Sequence, residues 1–182
     1  LTYYLKLFTS LKRFLEYVSL VSKHFINQEF SLLIPLDEKG QIWVENIYFS
    51  DNKLREQTIL DLCEFCKNNG LFNNFKLKNI IIFEKFLKEK FALFTFKKHK
   101  IISRGKCRGF FYVFYKISDH EKFELDKYNI NILVNLLAVG IENYLLLKIN
   151  KKHENVDREI SSGAEIQSRL LPDFCPKIFG VD

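Results

Sequence analysis

The sequence lacks or is poor in several residue types, and each shortage narrows its interpretation. Methionine is absent from all 182 residues, which predicts that the chain is an excised piece of a longer protein or that its methionines have been renamed. The four cysteines form no disulfide framework. Cys63 and Cys66 make a single C-x-x-C pair, without the second pair or the nearby histidines that a zinc site requires. We therefore interpret the cysteines as free thiols in a reducing compartment.

Targeting and membrane signals are also missing. Residues 1–10 have neither the basic region nor the small-residue cleavage site of a signal peptide. The most apolar stretch, 130–149, is interrupted by Asn131, Glu142 and Lys148, so it falls short of the ~18 uninterrupted apolar residues that a membrane span requires. The sequence therefore predicts a soluble, cytoplasmic protein with no membrane partner.

No catalytic chemistry can be assembled from the sequence. The glycines at 105 and 109 do not have the spacing of a phosphate-binding loop, and no nucleophile has an identifiable base partner. We expect no catalytic residue, no metal site and no cofactor in this chain.

The net charge of +6 and the pI of about 9.0 raise the alternative of a nucleic-acid-binding module. Lysines are densest at 97–100 and 148–152. The charge is otherwise diffuse, and no RNA- or DNA-binding motif accompanies it. A solvated lysine-rich surface is the favoured interpretation, so nucleic acid is not an expected partner.

Residues 1–28 are predicted to form a helix, because apolar residues recur at alternating spacings of three and four. Such a seam is typical of coiled coils and predicts pairing with a second helix. An amphipathic helix that lies on its own domain would show the same pattern, and both interpretations remain open. The seam consists of Leu1, Tyr4, Phe8, Leu11, Leu15, Val18, Ser22 and Phe25.

The middle of the chain is predicted to form a sheet. Residues 29–36 and 41–49 read as a hairpin around a turn at 37–40. A helix over 54–67 follows, capped by Ser50 or Asp51.

Three further strands are predicted at 78–83, 91–96 and 109–116. The last is apolar on both faces, which is typical of a central strand covered on both sides.

A second long helix is predicted from about residue 122 to Leu170. Its seam becomes polar beyond Leu146, and two registers fit the continuation about equally well, which would suit a connector that switches. The residues assigned to pairing or signalling on this helix are Val139, Asn143, Leu146, His153 and Ile160.

Two stretches resemble the GAF family of sensor domains. Residues 108–115 are similar to its penultimate core strand, in which a Gly precedes alternating small and apolar residues. Its closing helix has an aromatic-x-x-Asp sequence before an Ala-Ile-Glu-Asn end. Phe123 and Asp126 match the first part and residues 140–143 match the second, with Gly140 in place of Ala. The resemblance implies a small-molecule sensor whose ligand, if any, is unknown.

The tail resembles the opening of SpoIIE-like (RsbU-like) metal-dependent serine/threonine phosphatase domains. Those domains typically begin Ala-x-x-Ile-Gln-x-x-Leu-Leu-Pro. The metal-binding aspartates would lie beyond Asp182, so the resemblance implies Mn²⁺ or Mg²⁺ for a missing domain and none for this fragment. The residues that match are Ile166, Gln167, Leu170, Leu171 and Pro172.

Taken together, these patterns predict an α/β (α+β) fold with a GAF-like antiparallel sheet, helices on both sides, and long N- and C-terminal signalling helices. The expected organisation is a dimerisation helix at 1–28, a sensor domain at 29–147, a connector helix at 148–171 and the start of a phosphatase domain at 172–182. The resemblance implies a homodimeric, non-catalytic regulatory region. It would control dephosphorylation of an anti-anti-sigma-like phosphoprotein in partner-switching signalling. A ligand-free structural dimerisation domain is a further alternative.

Overall fold

The computed structural model describes residues 10–72, 77–119 and 122–170. These parts of the chain form a mixed α/β fold with one four-stranded antiparallel sheet. Short 3₁₀ turns occur at Val44–Asn46 and Ile117–Asp119. The helices and strands, in chain order, are α1 (Leu11–Phe25), β1 (Phe30–Pro35), β2 (Tyr48–Phe49), α2 (Arg55–Asn68), α3 (Leu77–Lys90), β3 (Phe94–Ser103), β4 (Lys106–Lys116) and α4 (Lys122–Leu170).

The sheet has the strand order β2–β1–β4–β3, with β4 between its two long neighbours. Its register places Phe114 opposite Phe30 on β1 and opposite Phe96 on β3. Every residue of β4 from Arg108 to Tyr115 is buried. The prediction of a central strand covered on both sides is therefore confirmed, because alternate side chains of a strand point to opposite faces.

Helices cover both faces of this sheet, as predicted. On one face the apolar side chains of α2 and α3 pack against Phe110, Tyr112 and Phe114 of β4. On the other face the buried sides of α1 and α4 pack against Phe111, Val113 and Tyr115.

The first predicted hairpin is only partly correct. β1 forms as expected, and the carboxylate of Asp37 accepts hydrogen bonds from the backbone N–H groups of Lys39 and Gln41 in the turn. The returning segment is mostly irregular, because a 3₁₀ turn occupies Val44–Asn46 and only Tyr48–Phe49 pairs with β1. Trp43 therefore lies outside the strand in which it was predicted.

The predicted strand at 78–83 is wrong, because this segment is part of α3. Ile80, Phe83 and Leu87 are buried at helical spacing, whereas Ile81 and Ile82 are 64% and 45% exposed. A run of β-branched residues favours a strand locally, but burial of one helical face outweighs that preference.

The last predicted helix is confirmed, since α4 runs for 49 residues. The chain divides between Leu145 and Leu146 into two units. The section Asp126–Ser162 is long and apolar enough, by length and composition, to cross a membrane, in contrast to the sequence prediction. Only 44% of its most apolar window is buried, and the core helix of a soluble protein meets the same criteria. A soluble protein is thus compatible with the fold.

Candidate functional site

Glu142 on α4 forms a buried ion pair with Arg108 on β4. The Nε of Arg108 donates to Oε2 of Glu142 at 2.6 Å, and the two side chains are 10% and 9% exposed. A buried pair is costly to desolvate and is maintained only when its geometry is good, so its two members are held in fixed positions. The pair therefore ties the start of the central buried strand to the long helix.

The tip of the β3–β4 hairpin reaches the same carboxylate. Arg104 adopts a positive φ of 49° and Gly105 one of 72°, which suits the tight turn of a two-residue hairpin. The Nε of Arg104 lies 3.8 Å from Oε1 of Glu142, but its side chain is 68% exposed. Glu142 thus interacts with one buried arginine, Arg108, and with one arginine that is accessible to solvent, Arg104.

A second buried carboxylate links α4 to the end of α1. Asp126 is 2% exposed, and it accepts hydrogen bonds from the backbone N–H of Asn27 at 2.9 Å and from the Asn27 side chain at 3.1 Å. Nearby, the side chain of Asn129 donates to the carbonyl of Phe25 at 2.8 Å. Burial, followed by the charge of Asp126, raises the pKa of Tyr115 above its usual value.

Gly140 lies against the ring of Phe14 from α1. A Cβ at position 140 would stand 2.1 Å from Cζ of that ring. The ring therefore leaves no room for a Cβ at position 140 unless it shifts. Phe14 meets α4 near Gly140 and Asn27 meets it at Asp126, so the two helices run antiparallel.

The seam residues predicted on the first helix pack inside their own domain. Leu11, Leu15 and Val18 are each no more than 2% exposed, whereas Phe25 is 57% exposed. Leu11, Leu15 and Val18 thus follow the interpretation in which the helix lies on its own domain. The prediction that these three residues contact a partner helix is therefore wrong, because their side chains fill the core that also contains Phe14. Leu1, Tyr4 and Phe8 lie outside the described residues.

The predicted pairing residues of α4 are more accessible. Val139 and Ile160 are 48% and 65% exposed, His153 is exposed, and Asn143 and Leu146 are half-buried. The phosphatase-like stretch begins on the same helix, which contains Ile166, Gln167 and Leu170. Leu171 and Pro172 lie outside the described residues.

The C-x-x-C pair belongs to α2, where Cys63 is half-buried and Cys66 is buried. Burial raises the pKa of the Cys63 thiol. Burial and the neighbouring Cys63 raise the pKa of Cys66 to about 12. Thiols with raised pKa values carry little thiolate at neutral pH, so they are poor nucleophiles and poor metal ligands. Among the described residues, no three His, Cys, Asp or Glu side chains are grouped closely enough to hold a metal ion.

Packed aromatic rings lie on the sheet face that α2 and α3 cover. The ring centroids of Phe30 and Phe114 are 4.5 Å apart, and that of Phe91 is 5.1 Å from Phe114. The Tyr112 hydroxyl is buried there without a hydrogen-bond partner among the described residues, and burial raises its pKa.

Sequence reasoning missed the Arg108–Glu142 pair. The sequence signal that could have revealed the pair is one charged residue in each of two otherwise apolar stretches, Arg108 in 108–115 and Glu142 in 130–147. Both stretches are among those that resemble GAF domains. No protein-family model matches this chain, and neither a search of curated proteins nor one of solved structures gave a match.

Proposed function

We propose that this chain is the GAF-like regulatory region of a bacterial serine/threonine phosphatase of the SpoIIE (RsbU) type. The observation that carries the proposal is the continuity of α4. This helix contributes Ile130–Leu145 side chains to the domain core. It then continues to Leu170, within the stretch that resembles the opening of such phosphatases. The fragment itself is non-catalytic.

The buried ion pair provides a route for the signal. A change at the β3–β4 hairpin that moves Arg108 also moves Glu142, which lies on the helix leading out of the domain. Regulation requires only that one arrangement of this helix be favoured over another by about a few kcal/mol. The ligand or other event that drives the change is not identified.

The region acts as a homodimer in this proposal, and its pairing surface is the outward side of its helices. Tyr128, Ile132 and Val139 on α4 are between 48% and 75% exposed. Tyr17 and Leu20 on α1 are 46% and 59% exposed. The inner face of α1 is already used in the core, so only such outward residues are available for pairing.

The proposed substrate of the whole protein is an anti-anti-sigma-like phosphoprotein. Mn²⁺ or Mg²⁺ would be held by carboxylates of the following domain. The first test is to sequence the reading frame beyond Asp182. We expect it to encode a domain with the acidic metal ligands of this phosphatase class. A stop codon close behind Asp182, or an unrelated domain, would overturn the phosphatase assignment.

The second test measures Mn²⁺-dependent hydrolysis of a phosphoserine peptide by the protein encoded by that longer frame. Insertion of two residues after Lys151 rotates the following helix by about half a turn. It should change the rate severalfold, whereas insertion of a whole number of turns should change it less. Equal rates for all insertions would contradict control through α4.

The nucleic-acid alternative is less well supported, because the densest lysine cluster does not form one surface. Lys97 lies opposite Val113 and Lys98 opposite Tyr112, so the two lysines point to opposite faces of the sheet. Lys98 is also 2.5 Å from the Glu84 carboxylate. Strongly salt-dependent binding to duplex DNA or to RNA would favour this alternative. A ligand-free dimerisation domain would instead show no control of the phosphatase.

A further inference from the structure

β3 is a long strand at the end of the sheet. It spans ten residues and pairs with β4 on one side. No strand among the described residues pairs with its other side. An end strand presents a row of backbone N–H and C=O groups to which another extended chain can add.

An open groove of about 500 Å³ lies along the first half of this strand. Its floor is apolar or aromatic, and Phe94, Phe96 and Ile117 contribute to it, while Lys88 and Lys97 add positive charge. Leu93 and Ile117 beside it are 79% and 61% exposed.

The lysines on this edge determine which kind of chain fits. If a second copy added antiparallel along the whole of β3, Lys97 would face Lys100 in both halves of the pairing. Like charges directly opposite each other destabilise a strand pair. An acidic strand would instead place carboxylates near Lys100 and Lys88, the two exposed lysines of this region. Lys97 is half-buried, and Lys98 is already paired with Glu84.

We propose that the outer edge of β3 is a docking site for an extended acidic segment of a partner protein, which adds to the sheet as a further strand. Backbone hydrogen bonds to β3 provide the affinity, and the groove takes alternate apolar side chains of the incoming segment. The lysines select acidic residues between those side chains. This inference does not rest on the phosphatase assignment.

The test is hydrogen–deuterium exchange of the whole chain with a short synthetic peptide of alternating glutamate and valine. Valine is chosen because it favours extended backbone. We expect slower exchange in Phe94–Ser103, and less slowing as salt is raised. A peptide with lysine in place of glutamate should give no slowing.

A charge-reversed variant provides the decisive comparison. Lys88→Glu combined with Lys100→Glu should weaken binding of the glutamate peptide by about tenfold or more. The matched control, Lys151→Glu combined with Lys152→Glu on α4, should bind as the unaltered chain does.

Three results would overturn the proposal. The first is unchanged hydrogen exchange in β3 when the glutamate peptide is added. The second is equal slowing of exchange by both peptides, and the third is slowing confined to another segment. Slowing in β3 that appears with rising protein concentration and no peptide would also overturn it, since the occupant would then be a second copy.

Discussion

The two parts of α4 are held as helix by different means. Up to Leu145 a stripe of apolar side chains is buried in the domain: Ile130, Leu133, Leu137, Ile141 and Leu145. From residue 150 to 162 every side chain is exposed, and Val156 and Ile160 are the larger apolar ones. Most helical stability in proteins comes from packing of an apolar face, and isolated helices are marginal in water. The first part is thus stabilised by its own domain, whereas the second part gains no such burial from the described residues.

This difference predicts which substitutions in α4 change the stability of the domain and which change its association or regulation. Changes to the buried side chains of the first part should alter the free energy of unfolding of the domain, whereas changes to its outward side chains, such as Val139, should affect association. Changes in the second part should leave that quantity nearly unchanged and affect association or regulation instead.

Glu142→Ala should have the largest effect. It leaves the Arg108 guanidinium buried without its counter-charge, and breaking a buried pair in this way costs about 3–5 kcal/mol. The measurement is the free energy of unfolding from a urea titration in which circular dichroism monitors the loss of helix.

The control for this variant replaces both partners. Glu142→Leu combined with Arg108→Met should recover most of the lost stability, because apolar side chains of similar size replace the whole pair. A cost below about 1 kcal/mol for Glu142→Ala would contradict the role given to the pair.

Gly140→Ala should destabilise the domain by up to about 2 kcal/mol. Alanine favours helix by about 1 kcal/mol over glycine, but its Cβ would overlap the Phe14 ring, and overpacking costs about 1–3 kcal/mol. Urea unfolding again provides the measurement. In a double-mutant cycle, Phe14→Leu should reduce the penalty of Gly140→Ala. Additive effects would show that the two residues are not in contact.

Stability should depend on pH through His99 in the sheet. Burial, and secondarily the charge of Lys97, lower the pKa of His99 from its usual 6.5. The unfolded chain therefore takes up a proton on this residue before the folded chain does, and stability falls as the pH decreases below the usual pKa of 6.5. The Asp61 carboxylate adds little in this range. Hydrogen bonds from Lys90 and then Gln57 lower its pKa below its usual 3.8, so it is ionised in both states.

The check is urea unfolding across that pH range with two variants. His99→Gln should flatten the dependence, whereas His153→Gln, in the exposed part of α4, should not. An unchanged slope in His99→Gln would contradict the assignment.

Val156→Ala combined with Ile160→Ala should change the free energy of unfolding of the domain by no more than about 0.5 kcal/mol, because both side chains are exposed. The same urea measurement applies. A loss comparable to that of Gly140→Ala would show that the second part of α4 does contribute to the domain.

Sequence patterns predicted the elements whose signal is local or strongly periodic. The long α4 and the doubly buried β4 are confirmed. The strand prediction for 78–83 was wrong because the consecutive residues Ile80, Ile81 and Ile82 favour a strand locally, whereas tertiary packing buries one face of a helix there.

Pairings between distant residues could not be predicted in the same way. A three-four apolar repeat does not state whether its partner is the same chain or another, so the packing of α1 on its own domain became apparent only from the structure. The Arg108–Glu142 pair spans 34 residues between a strand and a helix, and no local pattern encodes such a contact.

Light scattering most directly tests the proposal that the outward surface of α4 joins two copies of the chain. We predict the mass of a dimer for the unaltered chain and for Ile81→Glu, a control on α3 whose side chain is 64% exposed. Val139→Glu should shift the mass towards a monomer. A monomeric unaltered chain at high concentration, or an undiminished dimer in Val139→Glu, would contradict the account.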